Sequence, residues 1–347
     1  MHDGDIHAAY LMTDTVAAPE TFRALVLEER DGQVSADIQT LGRDALPAGD
    51  VLVRVAYSGL NYKDGLALAG KNKIVRFYPM IPGIDFAGEV VESQSPLFQP
   101  GDRVALTGWG VGERHWGGYA QLARVSSEWL VPIPAVFSFQ EAMAIGTAGV
   151  TAMLCVQALE EHGLTPEKGE VLVTGASGGV GSMAVAILAK LGYEVVAESG
   201  KADIRDYLLE LGARETIDRA ALAPSGGPLG AARWHGVVDT VGGEMLAGAL
   251  RTMAYGASAA ACGNAGGFAL NTSVLPFILR SVTLIGIDSL PLPQARRMVV
   301  WERLASDLPM SALQRATRVV PLAEAPGLAD EILAGRLHGH VVVDVNA

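Results

Sequence analysis

Cysteine and charged residues are both scarce in this chain of 347 residues. The two cysteines, Cys155 and Cys262, are too few for a disulfide framework or for a zinc site made of four thiolates. Such a composition is typical of a reducing compartment, so we expect a cytoplasmic protein. Charged residues make up 18% of the chain and hydrophobic residues 50%, which excludes a disordered chain.

The chain also lacks an excess of positive charge. Its 26 lysines and arginines stand against 38 aspartates and glutamates, and the net charge is −12. This charge argues against non-specific binding to nucleic acid or to an anionic membrane. An anionic ligand would therefore have to be bound by a local group of basic residues and by backbone N–H groups.

The sequence contains no recognisable secretion signal and no convincing membrane span. The first residues include early acids and no basic segment before an apolar core, so we interpret residues 1–21 as a poorly ordered extension. The longest apolar stretch, residues 142–159, contains several polar residues and has no basic flanks. It predicts a buried core helix rather than a helix that crosses a membrane.

The first part of the chain, from residue 22 to about residue 131, is rich in short strands. Alternating segments on either side of Asp31-Gly32 predict a hairpin. Further strands are predicted at residues 51–60 and 84–93, around Val104, and at 119–125 and 126–133. Many short strands with Gly and Pro turns favour a partly open barrel or sandwich.

Strands and helices alternate from residue 170 onward. Six β segments are predicted in about 120 residues, with helices between them, which is typical of a doubly wound parallel sheet that binds a dinucleotide. The tail contains a predicted helix at 322–335 and a final strand at 340–345, and we expect it to return to the first domain. The predicted division is an extension (1–21), a first domain (22–147 and 290–347) and a dinucleotide-binding domain (148–289).

The segment TGASGGVG at residues 174–181 is the most informative in the sequence. Glycine lets the backbone turn tightly, and the N-terminus of the following helix offers free N–H groups to a pyrophosphate. A predicted strand precedes this segment and a predicted helix follows it, which is the context that a dinucleotide-binding turn requires.

The end of the second strand of this domain distinguishes NAD from NADP. Glu198 could hold the ribose hydroxyls of NAD, whereas Ser199, Gly200 and Lys201 could hold the 2′-phosphate of NADP. Only one of Glu198 and Ser199 can face the ribose, because side chains alternate along a strand. We predict NADPH as the cofactor.

Four motifs resemble those of the zinc-free branch of the medium-chain dehydrogenase/reductase superfamily. They are GLNYKD (59–64), IPGIDFAGEV (81–90), QPGDRV (99–104) and the glycine-rich turn. The resemblance implies an α/β protein with a β-rich GroES-like catalytic domain and a Rossmann domain. Zinc-dependent members carry Cys in the first motif and Gly-His-Glu in the second. This chain has Leu60-Asn61 and Gly83-Ile84-Asp85 there, so we expect no metal.

Longer segments, at 106–125, 144–160, 260–268 and 275–289, are similar to NADPH-dependent acryloyl-CoA reductases. This resemblance implies reduction of acryloyl-CoA to propanoyl-CoA by a soluble homodimer that detoxifies acrylate-derived intermediates. It implies cofactor contacts at Tyr62, Ser177, Gly178, Gly179, Val180, Ser199, Gly200, Lys201, Arg219, Asn264, Ile278, Ser289 and Asn346. His340 stands where many members of the superfamily carry a lysine, and we assign it no role.

Reduction of an activated C=C bond requires a hydride at the β carbon and a proton at the α carbon, with an enolate-like charge on the thioester oxygen. Tyr62 is the first candidate for the proton donor or for an orienting group. The alternative is that Tyr62 only packs against the nicotinamide or hydrogen-bonds to it. Asn61 and Asp64 are second candidates, although Asp64 could instead brace its loop.

Two basic clusters could bind the phosphates of coenzyme A: Lys71, Lys73 and Arg76 form the first, and Arg296-Arg297 the second. A solvated charged loop is the alternative for each. Two other functions stay open. One is a quinone or 2-alkenal reductase of the same fold, and the other is a non-catalytic NADPH-binding protein.

Overall fold

The computed structural model describes residues 18–201, 203–223 and 227–347. The predicted extension therefore lies, up to residue 17, outside the described residues. The strands are β1 Thr21–Arg30, β2 Gln33–Gly42, β3 Val51–Leu60, β4 Asp85–Ser93, β5 Arg103–Thr107, β6 Leu122–Val125, β7 Leu130–Pro132, β8 Val171–Thr174, β9 Val195–Glu198, β10 Glu215–Ile217, β11 Trp234–Asp239, β12 Met253–Ala261, β13 Thr283–Gly286, β14 Thr317–Pro321 and β15 His340–Asp344.

The α-helices differ widely in length, from 5 to 23 residues. The α-helices are α1 Tyr62–Leu68, α2 Phe139–Glu161, α3 Gly179–Lys190, α4 Arg205–Glu210, α5 Gly243–Arg251, α6 Leu275–Arg280, α7 Gln294–Asp307, α8 Met310–Arg315 and α9 Ala329–Leu333. Short 3-10 helices span Arg43–Ala45, Ser127–Trp129, Pro166–Lys168, Arg219–Leu222 and Leu322–Leu328.

The first domain is built on a seven-stranded sheet in the order β14-β15-β3-β4-β5-β7, with β6 also paired to β3. Strands β1 and β2 form the predicted hairpin, and Asp31 and Gly32 have φ angles of 54° and 77° at its turn. These positive φ angles explain why Asp and Gly stand at the turn, because both tolerate the left-handed region better than most residues. The predicted β-rich domain is confirmed.

The second sheet is parallel throughout, with the strand order β10-β9-β8-β11-β12-β13. The order reverses between β8 and β11, and this switch point is where doubly wound sheets bind dinucleotides. Strands β8 and β9 are fully buried, and all but the last residue of each is apolar, as expected for a sheet covered on both faces. The predicted Rossmann domain is confirmed.

The tail differs in part from the prediction. Strand β15 pairs antiparallel with β3 and parallel with β14, so the final segment lies in the sheet of the first domain. The predicted helix at 322–335 is wrong as a single α-helix, because a 3-10 helix at Leu322–Leu328 precedes the short α9. Pro326 lies inside this segment, and its ring and missing N–H disfavour a regular α-helix.

Helix α2 lies between the two sheets and forms their shared core. It begins with a capping box between Ser138 and Glu141 and is kinked at Gly146, whose φ and ψ are 46° and −155°. It is long and apolar enough to cross a membrane, but 94% of its most apolar window is buried inside the protein. The prediction of a core helix at 142–159 is confirmed, and Cys155 is buried within it.

Candidate cofactor and substrate cleft

The predicted cofactor residues follow the carboxyl ends of parallel strands. Ser177 follows β8, Ser199 follows β9, Asn264 follows β12 and Ser289 follows β13. The strands are parallel, so these ends lie at one edge of the sheet. The structure therefore brings residues from distant parts of the chain to the edge where doubly wound sheets bind their ligands.

The glycine-rich turn joins β8 to α3, and no side chain caps the N-terminus of this helix. Gly178 is the N-cap of α3, and no side chain accepts a hydrogen bond from the first turn. A Cβ at Gly181 would overlap the carbonyl oxygen of Gly175 and would lie 2.7 Å from the Cα of Ala176. Glycine is therefore required for close packing at Gly181, and the free N–H groups of α3 suit a pyrophosphate.

A group of polar and basic residues lies beside this turn. The hydroxyls of Ser177 and Ser199 are 3.2 Å apart, and the backbone N–H of Lys201 donates to the Ser199 hydroxyl. The Arg219 guanidinium covers Gly200, where a Cβ would lie 2.6 Å from Nε. Burial lowers the pKa of Lys201, and the charge of Arg219 lowers it further against the opposing effect of Asp203. Two neighbouring cations of this kind favour an anionic ligand.

Glu198, the last residue of β9, binds the backbone of the glycine-rich turn. It is 1% exposed, and its Oε2 accepts a hydrogen bond of 2.9 Å from the N–H of Gly175. Burial raises the pKa of Glu198, while the bond from Gly175 and the charge of Arg219 oppose the shift. This carboxylate braces the turn through Oε2, while its Oε1 lies 3.9 Å from the Arg219 Nε.

The predicted catalytic loop is held by two buried carboxylates. Asp64 accepts hydrogen bonds from the backbone N–H groups of Asn61, Gly83 and Ile84 at 2.8, 3.1 and 2.9 Å. Burial raises the pKa of Asp64 to about 7, and the charge of Asp85 contributes. These contacts agree with the alternative that Asp64 braces its loop.

Asp85 is the second of these carboxylates, and no role was predicted for it from the sequence. It is fully buried and accepts hydrogen bonds from the Gly59 N–H, the Asn61 Nδ2 and the Thr147 N–H at 3.0, 3.0 and 2.8 Å. It thereby joins the catalytic loop to α2 next to its kink. Asp85 lies in the motif IPGIDFAGEV, which contains no Lys or Arg that could pair with it. That absence was the sign in the sequence that Asp85 binds other groups.

Tyr62 is the first residue of α1 and is 39% exposed. Its hydroxyl has no hydrogen-bond partner among the described residues, so it is free to contact a ligand. Asn61, directly before it, is the N-cap of α1 and forms a capping box with Asp64. Hydrogen bonds therefore fix Asn61, while the Tyr62 hydroxyl stays unpaired among the described residues.

His340 lies where the two domains meet. It is 3% exposed, and its Nδ1 donates to the Ala144 carbonyl at 2.9 Å, which leaves Nε2 without a partner. Its ring fits against glycines on three segments: a Cβ at Gly59 or Gly146 would lie within 3.2 Å of the ring, and one at Gly179 would lie 3.8 Å from it. The sign of this role in the sequence was that a histidine stands where many members of the superfamily carry a lysine.

The first predicted basic cluster lies on the rim of the first domain. Lys71, Lys73 and Arg76 are exposed, and no ion pair holds any of them within the described ranges. The N–H of Arg76 donates to the carbonyl of Glu113, so the cluster lies against the loop that contains His115. Phosphates of a long ligand could reach these side chains without entering the protein.

The second basic cluster does not form a surface site. Arg297 is 1% exposed, and Arg296 pairs with Glu161 at 3.1 Å near the end of α2. Glu161 lies ten residues, or about 15 Å, along α2 from Thr151, whose hydroxyl contacts Ser289. The structure thus contradicts the alternative that Arg296 and Arg297 together bind coenzyme A.

The remaining predicted cofactor residues divide into two groups. Asn264 and Ile278 are exposed, and Ser289 accepts a hydrogen bond of 3.0 Å from the Thr151 hydroxyl. Asn346 lies at the far end of β15, where its Nδ2 donates to the carbonyls of Val55 and Ala56. The structure does not bring Asn346 near Tyr62, and we leave it out of the proposed site.

Several buried polar atoms around the cleft have no hydrogen-bond partner among the described residues. An unpartnered buried polar atom is costly unless a ligand or water satisfies it. These atoms are Trp109 Nε1, His115 Nε2, Thr147 Oγ1, Glu198 Oε1, Arg297 Nε and His340 Nε2. Within the same described ranges, no three His, Cys, Asp or Glu side chains lie close enough together to hold a metal ion.

A Rossmann sheet with an open glycine-rich turn, facing a GroES-like domain with a braced polar loop, defines a dinucleotide-dependent oxidoreductase. Comparisons with known proteins agree with this class. Residues 47–135 match the family model of the alcohol dehydrogenase GroES-like domain, and residues 179–303 match that of the zinc-binding dehydrogenases. The chain belongs to the medium-chain dehydrogenase/reductase superfamily and to its quinone oxidoreductase-like members.

Individual relatives are similar over nearly the whole chain. The acrylyl-CoA reductase AcuI of Ruegeria pomeroyi is 53% identical over 94% of this chain and 100% of its own length. The yhdH oxidoreductase from Salmonella enterica, crystallised in complex with NADP, is 55% identical with a TM-score of 0.91, over 93% of this chain and 99% of that one. The Bacillus subtilis protein yhfP with NAD bound is 48% identical with a TM-score of 0.90, over 93% and 99%.

Proposed function

We propose that this chain reduces acryloyl-CoA to propanoyl-CoA with NADPH. The observation that carries the proposal is the 53% identity to an acrylyl-CoA reductase over the full length of that relative. The cleft supports it, because the two cations beside Ser199 suit a 2′-phosphate and the exposed basic cluster suits the phosphates of coenzyme A.

The cofactor supplies the hydride, and the chain supplies binding, orientation and charge. The N–H groups at the start of α3 bind the pyrophosphate. Ser199, Lys201 and Arg219 bind the 2′-phosphate, and Lys201 is already oriented by its Nζ bond of 2.6 Å to the Leu337 carbonyl. Glu198 lies beside this group, and its Oε1, 3.9 Å from the Arg219 Nε, offsets part of the positive charge there.

On the substrate side, the buried carboxylate of Asp85 fixes Asn61, and Asn61 fixes the start of α1. This arrangement orients Tyr62 toward the cleft, where its free hydroxyl donates the proton to the α carbon or orients the thioester. Lys71, Lys73 and Arg76 bind the phosphates of coenzyme A on the rim.

The decisive experiment follows NADPH oxidation with acryloyl-CoA, crotonyl-CoA, free acrylate, acrolein and a quinone in parallel. Selective turnover of acryloyl-CoA supports the proposal. Turnover of the quinone alone would favour the quinone reductase reading, and turnover of none would favour a non-catalytic NADPH-binding protein.

The role of Tyr62 is tested with Tyr62→Phe. If the hydroxyl donates the proton, kcat falls by about 100-fold while the Kd for NADPH stays near the wild-type value. Near-normal turnover with normal NADPH affinity would contradict the donor role and would leave water as the proton source. Tyr57→Phe, on β3 away from the loop, is the matched control.

We also propose that the protein is a cytoplasmic homodimer that removes acrylate-derived intermediates. Strand β13 lies at one edge of its sheet, and the segment between β12 and β13 carries large apolar side chains that are exposed. Among them are Phe268, Val274 and Leu279, which are 85%, 64% and 58% exposed. Val274→Glu should convert a dimer to a monomer in size-exclusion chromatography with light scattering, and a wild-type monomer would contradict the proposal.

A further inference from the structure

Arg297, on α7, is a buried cation without a carboxylate partner. One guanidinium nitrogen, Nη1, donates to the carbonyl of Thr107 at 2.8 Å and to its hydroxyl, and the other, Nη2, donates to the carbonyls of Ser289 and Leu290 at 3.2 Å each. The guanidinium also lies 5.7 Å from the ring centroid of Trp109. No Asp or Glu oxygen lies within ion-pair distance among the described residues.

A charge in this position is unfavourable for the fold alone. An unpaired ion that leaves water carries a penalty of several kcal/mol, even when backbone carbonyls solvate it. Burial lowers the pKa of Arg297 to about 10, so the side chain stays charged near neutral pH. A neutral side chain of similar size would fill this space without the penalty, which indicates that the charge has a use.

The hydrogen bonds of Arg297 close a ring of contacts around the cleft. Thr107 is paired with Asp85 in the β4–β5 register, and Asp85 binds the loop and the N–H of Thr147. The Thr151 hydroxyl bridges the carbonyl of Thr147 and the hydroxyl of Ser289 at 2.7 and 3.0 Å. Arg297 then joins Ser289 back to Thr107.

The ring unites the two sides of the cleft. Asp85 and Thr107 belong to the first domain, and Ser289 follows the last strand of the Rossmann sheet. Arg297 also lies against Trp109, whose ring stacks on Trp129 with centroids 6.4 Å apart. A shift of either side would break at least two hydrogen bonds to a group that cannot be solvated elsewhere.

We infer that Arg297 is a positioning residue for the reduction, which rests on the function proposed above. Its planar fork fixes the Thr107–Trp109 and Ser289–Leu290 segments at a set separation, so that the thioester lies correctly between Tyr62 and the cofactor. Its uncompensated positive charge also favours the negative charge that develops on the thioester oxygen. Arg297 does not touch the substrate. It positions the substrate through the two segments that it holds.

The test compares Arg297→Gln with the neighbouring Arg296→Gln. We expect Arg297→Gln to lower kcat for acryloyl-CoA by about 100-fold, while the Kd for NADPH changes less than about 3-fold. Arg296→Gln removes an equal charge from the next residue but breaks only an exposed ion pair with Glu161, so its kcat should stay within about 2-fold of the wild type. An equal loss in both variants, or a normal kcat in Arg297→Gln, would overturn the proposal.

Two further variants keep the test decisive if Arg297→Gln does not fold. Arg297→Lys keeps the charge but loses the fork, so it should restore less than about one tenth of the lost rate. Thr107→Val keeps the shape and removes one acceptor, and it should lower kcat by about 5-fold with normal NADPH binding. Wild-type kcat in both variants would overturn the proposal even without data on Arg297→Gln.

The same measurements separate this proposal from the function on which it rests. If the wild type reduces the quinone instead of acryloyl-CoA, the proposed substrate fails, and the kcat comparison is made with the quinone. An active wild type with insensitive Arg297 variants contradicts only the positioning role. A wild type that reduces none of the tested substrates contradicts both.

Discussion

The two sides of the cleft are built in different ways. The cofactor side is centred on one short segment, 174–181, whose backbone turns and whose N–H groups face the ligand site, with polar side chains from later strand ends beside it. The substrate side consists of side chains from distant segments, held by buried charges at Asp64, Asp85 and Arg297. The first depends on backbone geometry, and the second depends on electrostatics and on contacts between domains.

This difference indicates how each side will respond to change. A backbone site fails when a side chain occupies the space that the backbone needs. A site of buried charges fails when a charge, a proton or a partner is removed. Making each kind of change in turn therefore tests whether the two sides are as distinct as the structure indicates.

The largest effect is expected for Gly181→Val on the cofactor side. The new Cβ would overlap the Gly175 carbonyl oxygen and press on Ala176, and neither backbone atom can move without opening the turn. We expect the free energy of unfolding to fall by about 5 kcal/mol and NADPH binding to be lost. Urea unfolding and NADPH fluorescence measure the two effects.

Gly327→Val is the matched control for this change, because no atom lies within 4 Å of a Cβ built at Gly327. It should alter the unfolding free energy by no more than about 1 kcal/mol. Equal losses in the two variants would show that valine itself, rather than the crowding at Gly181, is responsible.

The second prediction concerns a proton on the substrate side. Burial and the charge of Asp85 raise the pKa of Asp64 from 3.8 to about 7 in the folded state. Between about pH 4 and pH 7 the unfolded chain has released a proton that the folded chain still holds. Stability therefore falls as the pH rises through this window, by about 4 kcal/mol for this group.

Asp64→Asn should flatten this pH dependence, as measured by urea unfolding from pH 4 to pH 8. The amide also loses the bond from the Asn61 N–H, so the variant should be less stable than the wild type at the acid end by about 1 kcal/mol. Asp37→Asn, on the exposed side of β2, should keep the wild-type slope. The same slope in all three proteins would contradict a protonated Asp64.

How far each side could be predicted from the sequence follows from the same difference. The glycine-rich turn is contiguous, so its glycines and the flanking apolar strand and helix were sufficient to predict it. Arg297 was predicted as part of a surface cluster with Arg296, because adjacent basic residues give no sign of which side chain faces the core. The burial of Arg297 depends on its contacts with the Thr107–Trp109 segment, and that packing is not local.

His340 and Asp85 illustrate the same limit. Their roles depend on glycines at three distant positions and on the kink at Gly146, and no spacing in the sequence connects these positions. The helix predicted at 322–335 failed for a local reason, since Pro326 was present in the sequence and should have counted against it. Non-local contacts limited the prediction of the site more than that of the fold.

The third prediction tests the phosphate cradle beside the turn. Arg219→Ala should raise the Kd for NADPH by about 30-fold and leave the Kd for NADH unchanged, because only NADPH carries the 2′-phosphate. Lys201→Ala should act in the same direction with a smaller effect. Arg214→Ala removes an exposed cation paired with Glu194 and should change neither constant. A preference for NADH that is unaffected by Lys201→Ala would contradict the assignment of NADPH.

The smallest effect is expected on the rim, where charges are solvated rather than buried. Neutralising Lys71, Lys73 and Arg76 together as glutamines should raise the KM for acryloyl-CoA by about 5-fold at low salt. The difference from the wild type should vanish at high salt, because ions screen exposed charges within about 10 Å. The KM for acryloyl-pantetheine, which has no phosphates, should be unchanged.

Lys168→Gln is the control for the rim, since this exposed lysine precedes β8 at the opposite edge of the Rossmann sheet. A wild-type KM that does not depend on salt would contradict phosphate binding by the rim, and the cluster would then be a solvated loop. If salt changes KM and leaves the kcat effect of Arg297→Gln intact, the rim charges recruit the substrate and the buried charge aligns it.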